Sequence, residues 1–132
     1  MTDGLALPES ALQATVLVGL ALFFVFTGVM HFAKPKPFVA IVPPTLPAPG
    51  VLVAVSGAAE VLGGAGLLVP GVRVAAGVGL ILLLAAVFPA NVFMARHADR
   101  FRRIAPPWAL WARLPLQPVL MAAVAWASGL VG

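Results

Sequence analysis

The sequence contains no cysteine, and only 9% of its 132 residues are charged. The absence of thiols excludes disulfide exchange, thiolate catalysis and thiolate metal sites. The scarcity of charge argues against an ordinary soluble domain, in which about 25% of residues are charged and about 45–50% are apolar. Here 62% of the residues are hydrophobic, and the mean hydropathy is +1.10. These values predict an integral membrane protein with one domain over residues 1–132.

Four apolar runs predict four membrane-spanning helices, at about residues 12–32, 51–69, 72–95 and 116–131. At about 1.5 Å of rise per residue, the second run covers about 28 Å, which is close to one hydrocarbon core. Pro70 and Gly71 predict a tight turn, so the second and third runs should form an antiparallel hairpin. Pro115 and Pro118 are expected in the first turn of the fourth helix, where proline costs little. The predicted fold is therefore an all-α, integral membrane four-helix bundle.

The basic residues are concentrated on one side of the predicted bundle. The other side carries Arg73 alone, whereas this side carries seven basic residues: Lys34, Lys36, Arg96, Arg100, Arg102, Arg103 and Arg113. Because cytoplasmic loops carry an excess of Lys and Arg, both termini are predicted to be extracytoplasmic, and loops 1–2 and 3–4 to be cytoplasmic. The net charge of +4 then suits the anionic face of a lipid bilayer, and nucleic acid is not an expected partner.

Both cytoplasmic loops carry residues suited to the membrane interface. The segment 38–42, FVAIV, is too short to span, so it should lie in the interface or fold back over the mouth of the bundle. In the other loop, three basic residues recur at helical spacing and two tryptophans follow: Arg96, Arg100, Arg103, Trp108 and Trp111. Basic side chains on phosphates and indoles in the aromatic belt predict a lipid-headgroup anchor. A specific site for an anionic lipid or a partner is the alternative.

Glu60 lies in the middle of the second run, within the sequence SGAAEVLGG of residues 56–64. A charge near the bilayer midplane is costly, so such a residue usually faces the bundle interior and marks function. Its helix face also carries small residues, which let another helix approach or leave room for a ligand: Ser56, Gly57, Gly63 and Gly64. The opposite face suits lipid: Val51, Val55, Ala58, Leu62, Ala65 and Val69. The structural alternative is a protonated Glu60 that only fixes helix packing.

Further polar residues lie between Glu60 and the cytoplasmic ends of the helices. Thr27 and His31 share a face of the first helix, and Asn91 follows Pro89, which should kink the third. With Ser56, they predict a pocket or proton path that opens to the cytoplasm. Helix rise gives His31 and Glu60 a difference in depth of about 11 Å, so no direct ion pair is expected. Without an ionic partner, Glu60 is expected to be mostly protonated.

The sequence favours no other chemistry. It has no nucleophile–base–orienter set and no phosphate-binding loop, so no catalytic residues are assigned. A bis-histidine haem on His31 and His97 is not favoured, because His97 lies in an arginine-rich loop and histidine is common at membrane interfaces. A transition-metal site of His31, Asn91 and Glu60 is not favoured either, for want of ligand spacing and a second carboxylate.

Residues 20–97 contain a series of short motifs: FTGVMHF at 26–32, PF at 37–38, IVPPTLP at 41–47, SGAAE at 56–60, GG at 63–64, LLVP at 67–70 and FPANVFM at 88–94. In combination they resemble the DoxX-like family of small membrane proteins. The resemblance implies a four-helix bundle in the bacterial cytoplasmic membrane, with His31, Glu60 and Asn91 at the family's polar positions. Members of that family are linked to quinone-dependent or oxidative-stress redox complexes. Because this chain has no cysteine, an activity that relies on membrane thiols does not carry over.

The sequence and the resemblance together predict a protein that binds a small apolar molecule, such as a quinone, in this pocket. It could equally serve as an accessory subunit of a redox complex, with other membrane redox proteins as partners. One alternative is a proton-coupled transporter of small hydrophobic compounds that uses Glu60 as its proton site. Another is a structural assembly subunit. The sequence leaves open the ligand, the oligomeric state and any activity of the chain on its own.

Overall fold

The computed structural model describes residues 8–103 and 105–131. All regular secondary structure within these ranges is helical: α1 (Ala11–Ala33), α2 (Pro35–Ala40), α3 (Pro49–Leu67), α4 (Arg73–Arg96), the 3-10 helix Ala98–Phe101, and α5 (Pro107–Ala127). Three of these helices, α1, α3 and α4, are long and apolar enough to cross a membrane. The predicted location of the N-terminus itself concerns residues 1–7, which lie outside the described residues.

The first three predicted spans agree closely with α1, α3 and α4, but the predicted start of the fourth is wrong. Helix α5 begins at Pro107, so Pro115 and Pro118 lie inside it and not in its first turn. Hydropathy missed this start because the first residues of α5 include Trp and Arg and are less apolar than the rest. A proline in the first turn favours a helix start whatever the hydropathy of the residues that follow.

Polar side chains fix several of the helix ends. Ser10 caps α1, since its hydroxyl accepts the backbone N–H of Gln13 at 3.0 Å, as N-cap residues do. Gln13 is buried and donates from Nε2 to the carbonyl oxygen of Trp126 at 2.7 Å, which joins the start of α1 to the end of α5. At the start of α4, the buried Arg73 donates from Nε to the carbonyl oxygen of Leu67 at 2.5 Å. This bond satisfies one of the carbonyls that the last turn of a helix leaves unpaired.

Helix α1 packs most extensively against α3, whereas α4 packs to a similar extent against α5 and α3. We call α1 with α3 and α4 with α5 the two helix pairs, because a cavity lies between them. In the first pair, a Cβ added at Gly28 would lie 2.7 Å from the carbonyl oxygen of Gly57. In the second, a Cβ added at Gly77 would lie 2.5 Å from Oγ of Ser128. Glycine at these crossings therefore lets each pair of helices pack backbone against backbone or against a small side chain.

The two pairs pack together in the half of the molecule near the 68–72 turn, which we call the turn end. There Gly63 lies against the side chain of Leu80, and Gly66 against that of Ala76. Buried side chains fill the space between the pairs: Leu17, Leu20, Ala21, Phe24, Leu67, Leu80, Leu84, Val124 and Ala127. The opposite end, which we call the basic end, carries residues 34–48, 97–103 and 105–106. A smaller cluster there joins α4 to the 3-10 helix and α5: Met94, Ala95, Phe101 and Leu110.

The two predicted faces of α3 can be compared with these contacts. The residues expected to suit lipid are all exposed, five of them on α3 and Val69 just beyond its end: Val51, Val55, Ala58, Leu62, Ala65 and Val69. On the other face the small residues divide their contacts, because Gly57 and Gly64 pack against α1 whereas Gly63 packs against α4. Ser56 and Glu60 border the space between the pairs. The helix thus uses its glycines for packing and presents its polar residues to the interior.

Candidate functional site

A cavity of about 660 Å³ lies between the two helix pairs toward the basic end, within the volume range typical of small-molecule sites. All five residues predicted for the pocket border it: Thr27, His31, Ser56, Glu60 and Asn91. The rest of the helical wall is mostly apolar: Phe23, Phe24, Leu52, Val53, Leu83, Leu84, Ala86, Val87, Pro89, Ala90, Arg113, Leu116, Gln117, Val119, Leu120 and Ala123. The structure therefore brings together polar residues from three helices that the sequence separates.

The segment between α1 and α3 covers the mouth of this cavity. Its apolar side chains complete the wall: Phe38, Ile41, Val42, Pro43 and Leu46. The ring of Phe38, on α2, stacks on that of His31 with the centroids 4.0 Å apart and the planes 24° from parallel. Of the two positions expected for residues 38–42, the structure thus supports the one folded back over the helices. The stacking fixes the imidazole plane and shields one of its faces.

Glu60 contacts two side chains of α1 directly. Its Oε1 accepts the hydroxyl of Thr27 at 2.6 Å, and its Oε2 lies 3.1 Å from Nε2 of His31. The expectation that His31 and Glu60 are too far apart to pair is therefore wrong. That expectation measured the depth of each residue from the end of its own predicted helix, but α1 and α3 do not end at the same height. The contact of Gly28 with Gly57 and Val61 places Glu60 beside Thr27, with the first residues of α3 beyond the end of α1.

The geometry of His31 fixes the number of protons that it shares with Glu60. Its Nδ1 lies 2.6 Å from the backbone carbonyl oxygen of Thr27. A carbonyl cannot donate, so Nδ1 must carry a proton. The contact between Nε2 and Oε2 then holds one further proton, either on the imidazole or on the carboxyl group. The pair is an imidazolium with a carboxylate or an imidazole with a carboxylic acid, and it has no net charge in either form.

A second polar group lies on the opposite wall, where α4 meets α5. Asn91 donates from Nδ2 to Oε1 of Gln117, and Gln117 donates from Nε2 to the carbonyl oxygen of Leu84. Both amides are buried. Pro89 lies inside α4 and, lacking an N–H, cannot continue the helical hydrogen-bond ladder there. The carbonyl that thereby lacks its helical donor is that of Ala85, and the carbonyl that Gln117 reaches is that of the preceding residue, Leu84.

Sequence reasoning missed Gln117 because it placed that residue at the very start of the fourth span. A recognisable signal was present, since Gln117 is the only amide within residues 107–127. Arg113 was likewise assigned to a loop, whereas it lies inside α5 and borders the cavity. Ser56 was predicted correctly to lie on the side of Glu60, one helical turn nearer the basic end.

The residues predicted as a lipid-headgroup anchor lie at the basic end, outside the cavity. Helix α4 ends at Arg96 and a 3-10 helix follows, so the helical spacing read from Arg96, Arg100 and Arg103 does not describe one continuous helix. Arg96, Arg100 and Trp111 border a second, shallow depression. Trp108 and Trp111 are 74% and 52% exposed, with their rings on the outside of α5.

Within residues 8–103 and 105–131, no three His, Asp or Glu side chains are grouped as metal ligands.

Comparison with known proteins gives one match. The sequence model of a family described as "Domain of unknown function (DUF8561)" matches residues 20–129. No curated protein and no solved structure matches the chain. The matched range includes every residue that borders the larger cavity, from Phe23 to Ala123.

Proposed function

Because the chain belongs to the DUF8561 family, whose description assigns no function, we propose a function from the site itself: the cavity binds a small apolar molecule within the membrane. A quinone is the ligand class that we put forward first. The protein would be a multi-pass protein of the bacterial cytoplasmic membrane, with the basic end and loops 1–2 and 3–4 in the cytoplasm and both termini outside.

Two features support this arrangement in the bilayer. Helix α5 has 21 residues, enough for about 31 Å at 1.5 Å per residue, so it can serve as the fourth span of a four-helix bundle. The basic end carries most of the Lys and Arg residues, as cytoplasmic loops do. A cytoplasmic reporter fused after residue 132 should be inactive and a periplasmic reporter active. The reverse result would contradict the orientation.

The observation that carries the binding proposal is the group formed by Thr27, His31 and Glu60 in a mostly apolar wall. The hydroxyl of Thr27 and the Nδ1–H of His31 are already engaged within this group, so a quinone carbonyl would accept the proton that His31 and Glu60 share at their 3.1 Å contact. Phe23 and Phe24 supply flat apolar surface nearby. Ligand sites commonly combine a mainly apolar wall with a few polar groups that orient the ligand.

Equilibrium binding of decylubiquinone to the protein in nanodiscs tests this proposal. We expect saturable binding to the wild type and unchanged binding to Thr15→Val. Binding to Glu60→Ala should be at least about tenfold weaker, because the proton that Glu60 and His31 together offer to the ligand oxygen is lost. Thr15 is a suitable control because its hydroxyl donates to its own helix, at the carbonyl oxygen of Ala11, on an exposed surface. Equal affinities for the wild type and Glu60→Ala would contradict the proposed site.

A proton-coupled transporter of small hydrophobic compounds is the second candidate. The single proton shared by His31 and Glu60 favours it, since such a pair can lose and regain a proton as a solute passes. Liposomes containing the protein would then show a proton flux that depends on added solute and is abolished in Glu60→Gln. Saturable binding without flux favours the ligand-binding function.

The role as an accessory subunit of a redox complex depends on the DoxX-like resemblance, and so does the proposed link to quinones. Co-purification with membrane redox proteins would support it. A purely structural assembly subunit predicts neither ligand binding nor proton flux. The headgroup anchor of Arg96, Arg100, Arg103, Trp108 and Trp111 fits each of these functions, because it concerns only the position of the protein in the bilayer.

A further inference from the structure

Arg113 occupies an unusual position at the mouth of the cavity. It lies inside α5, one helical turn before the buried Gln117, and its side chain borders the cavity while remaining exposed. Its Nη1 lies 3.9 Å from the sulfur of Met94, a weak acceptor that engages one of the five N–H groups of a guanidinium. The remaining donors of Arg113 are therefore suited to an additional acceptor.

The described residues supply no carboxylate to neutralise Arg113. Their ion pairs are those of His31 with Glu60 and of Arg102 with Asp99. Glu9 precedes α1 at the turn end, where its backbone N–H donates to Gln13. A guanidinium that has no carboxylate partner can form charge-assisted, bidentate hydrogen bonds with an anion. The surrounding Lys and Arg residues of the basic end add an attractive field for negative charge.

The wall beyond Arg113 is suited to an apolar chain. From Arg113 to Ala123 the cavity follows α5 for about 15 Å, past Leu116, Val119 and Leu120. Met94, which contacts Arg113, follows Asn91 by about one helical turn, and Gln117 follows Arg113 by about one turn, so both amides lie about one turn farther into the bundle. The mouth thus combines one cation with neutral hydrogen-bonding groups, and an apolar lining follows.

We propose that Arg113 binds the acidic group of an amphiphile whose apolar chain occupies the cavity toward Glu60. This inference rests on the proposed ligand-binding function and adds a second ligand class beside the quinones, namely molecules with a carboxylate or phosphate at one end. The acidic group lies at the basic end, where the headgroups of the cytoplasmic leaflet would be. The shared chemistry allows two sources, a free fatty acid or a membrane phospholipid.

Laurate and dodecanol are matched probes, because they share the same chain and differ in the acidic group. Binding is measured in phosphatidylcholine nanodiscs at a pH at which laurate is ionised, with protein-free nanodiscs subtracted. For the wild type we expect laurate to bind at least about tenfold more tightly than dodecanol, because only laurate can form a charge-assisted hydrogen bond with Arg113. Arg113→Gln should abolish this preference and leave dodecanol binding unchanged, and Arg113→Lys should retain part of it.

Lys36→Gln is the matched control, since Lys36 is an exposed cation of the same end that does not border the cavity. It should retain the preference for laurate. Equal affinities of the wild type for laurate and dodecanol would overturn the inference. So would an equal loss of preference in Lys36→Gln and Arg113→Gln, because the attraction would then come from the overall charge of this end.

Phosphatidylglycerol in the nanodiscs distinguishes the two sources. If it displaces laurate from the wild type, a membrane phosphate occupies the Arg113 site. If laurate binding persists, the site selects the free acid. Failure of both laurate and dodecanol to bind any variant would contradict the cavity function itself, whereas binding of both without a preference contradicts only the role of Arg113.

Discussion

The turn half and the basic half of the molecule are built from the same four long helices, yet they differ in how the two helix pairs meet. At the turn end, apolar side chains from both pairs form one buried cluster. Toward the basic end, a cavity separates the pairs, and most of the polar side chains of α1, α3 and α4 border it. The five polar residues of the predicted pocket thus lie where packing is incomplete, whereas Gln13 and Arg73 are buried at the turn end. In such a bundle, function is expected in the half that the core does not fill.

The contact between α1 and α3 does not differ in this way between the turn half and the basic half. Gly28 and Gly57 touch at the level of Glu60, beside the cavity, whereas Gly64 touches the backbone of Ala21 at the turn end. Helix α1 therefore stays close to α3 in both halves. The cavity therefore does not arise from a separation of α1 from α3, so changes at the contact between α1 and α3 should cost more stability than changes at the cavity wall.

The largest effect is expected for Gly64→Leu. A Cβ at Gly64 would lie 2.9 Å from the carbonyl oxygen of Ala21, and backbone cannot move aside as a flexible side chain can. We expect a loss of stability above about 3 kcal/mol, the upper range for overpacking. Gly19→Leu is the control, because a Cβ there meets nothing within 4 Å. Thermal unfolding in detergent measures both, and equal melting temperatures would contradict the close packing of α1 against α3.

A truncation in each half compares the core with the cavity wall. Leu80 is 1% exposed in the core, whereas Val119 is 63% exposed at the wall. Leu80→Ala should cost about 2–5 kcal/mol, as other buried leucines do. Val119→Ala should change stability by less than about 0.5 kcal/mol. The same unfolding assay decides, and equal losses would show that the two halves are packed alike.

Substitutions of Glu60 refine the comparison within the polar wall. Glutamine can accept the hydroxyl of Thr27 and donate to Nε2 of His31, so Glu60→Gln should keep stability within about 0.5 kcal/mol of the wild type. Glu60→Ala removes both bonds and should cost about 1–3 kcal/mol. An equally large loss in Glu60→Gln and Glu60→Ala would contradict this expectation, because it would show that the contact depends on charge and not on hydrogen bonds that glutamine can reproduce.

Periodicity and hydropathy were sufficient for much of this architecture. They gave the bounds of α1, α3 and α4, because long apolar runs bounded by Pro and Gly define these helices without help from tertiary contacts. Helical periodicity gave the exposed face of α3, because residues three and four apart lie on the same side of a helix. They failed at the start of α5, where the residues before Pro115 are helical but less apolar than a membrane span.

The candidate site was predicted by residue type but not by contact. A carboxylate, an imidazole and an amide within apolar helices indicated the site, since buried polar groups need partners. The contact between His31 and Glu60 was missed because it depends on the relative height of α1 and α3, which the glycine crossings set. Gln117 and Arg113 were missed because their roles follow from the true start of α5.

The central claim is that the cavity between the helix pairs holds a small molecule, and filling it tests that claim most directly. Ala123 borders the cavity, whereas the neighbouring Ala122 is exposed and does not. Small molecules are extracted from purified wild type, Ala123→Trp and Ala122→Trp, and are quantified by mass spectrometry. We expect a species near one molecule per chain in the wild type and Ala122→Trp, and its loss in a folded Ala123→Trp. An equal amount in all three proteins would contradict the claim.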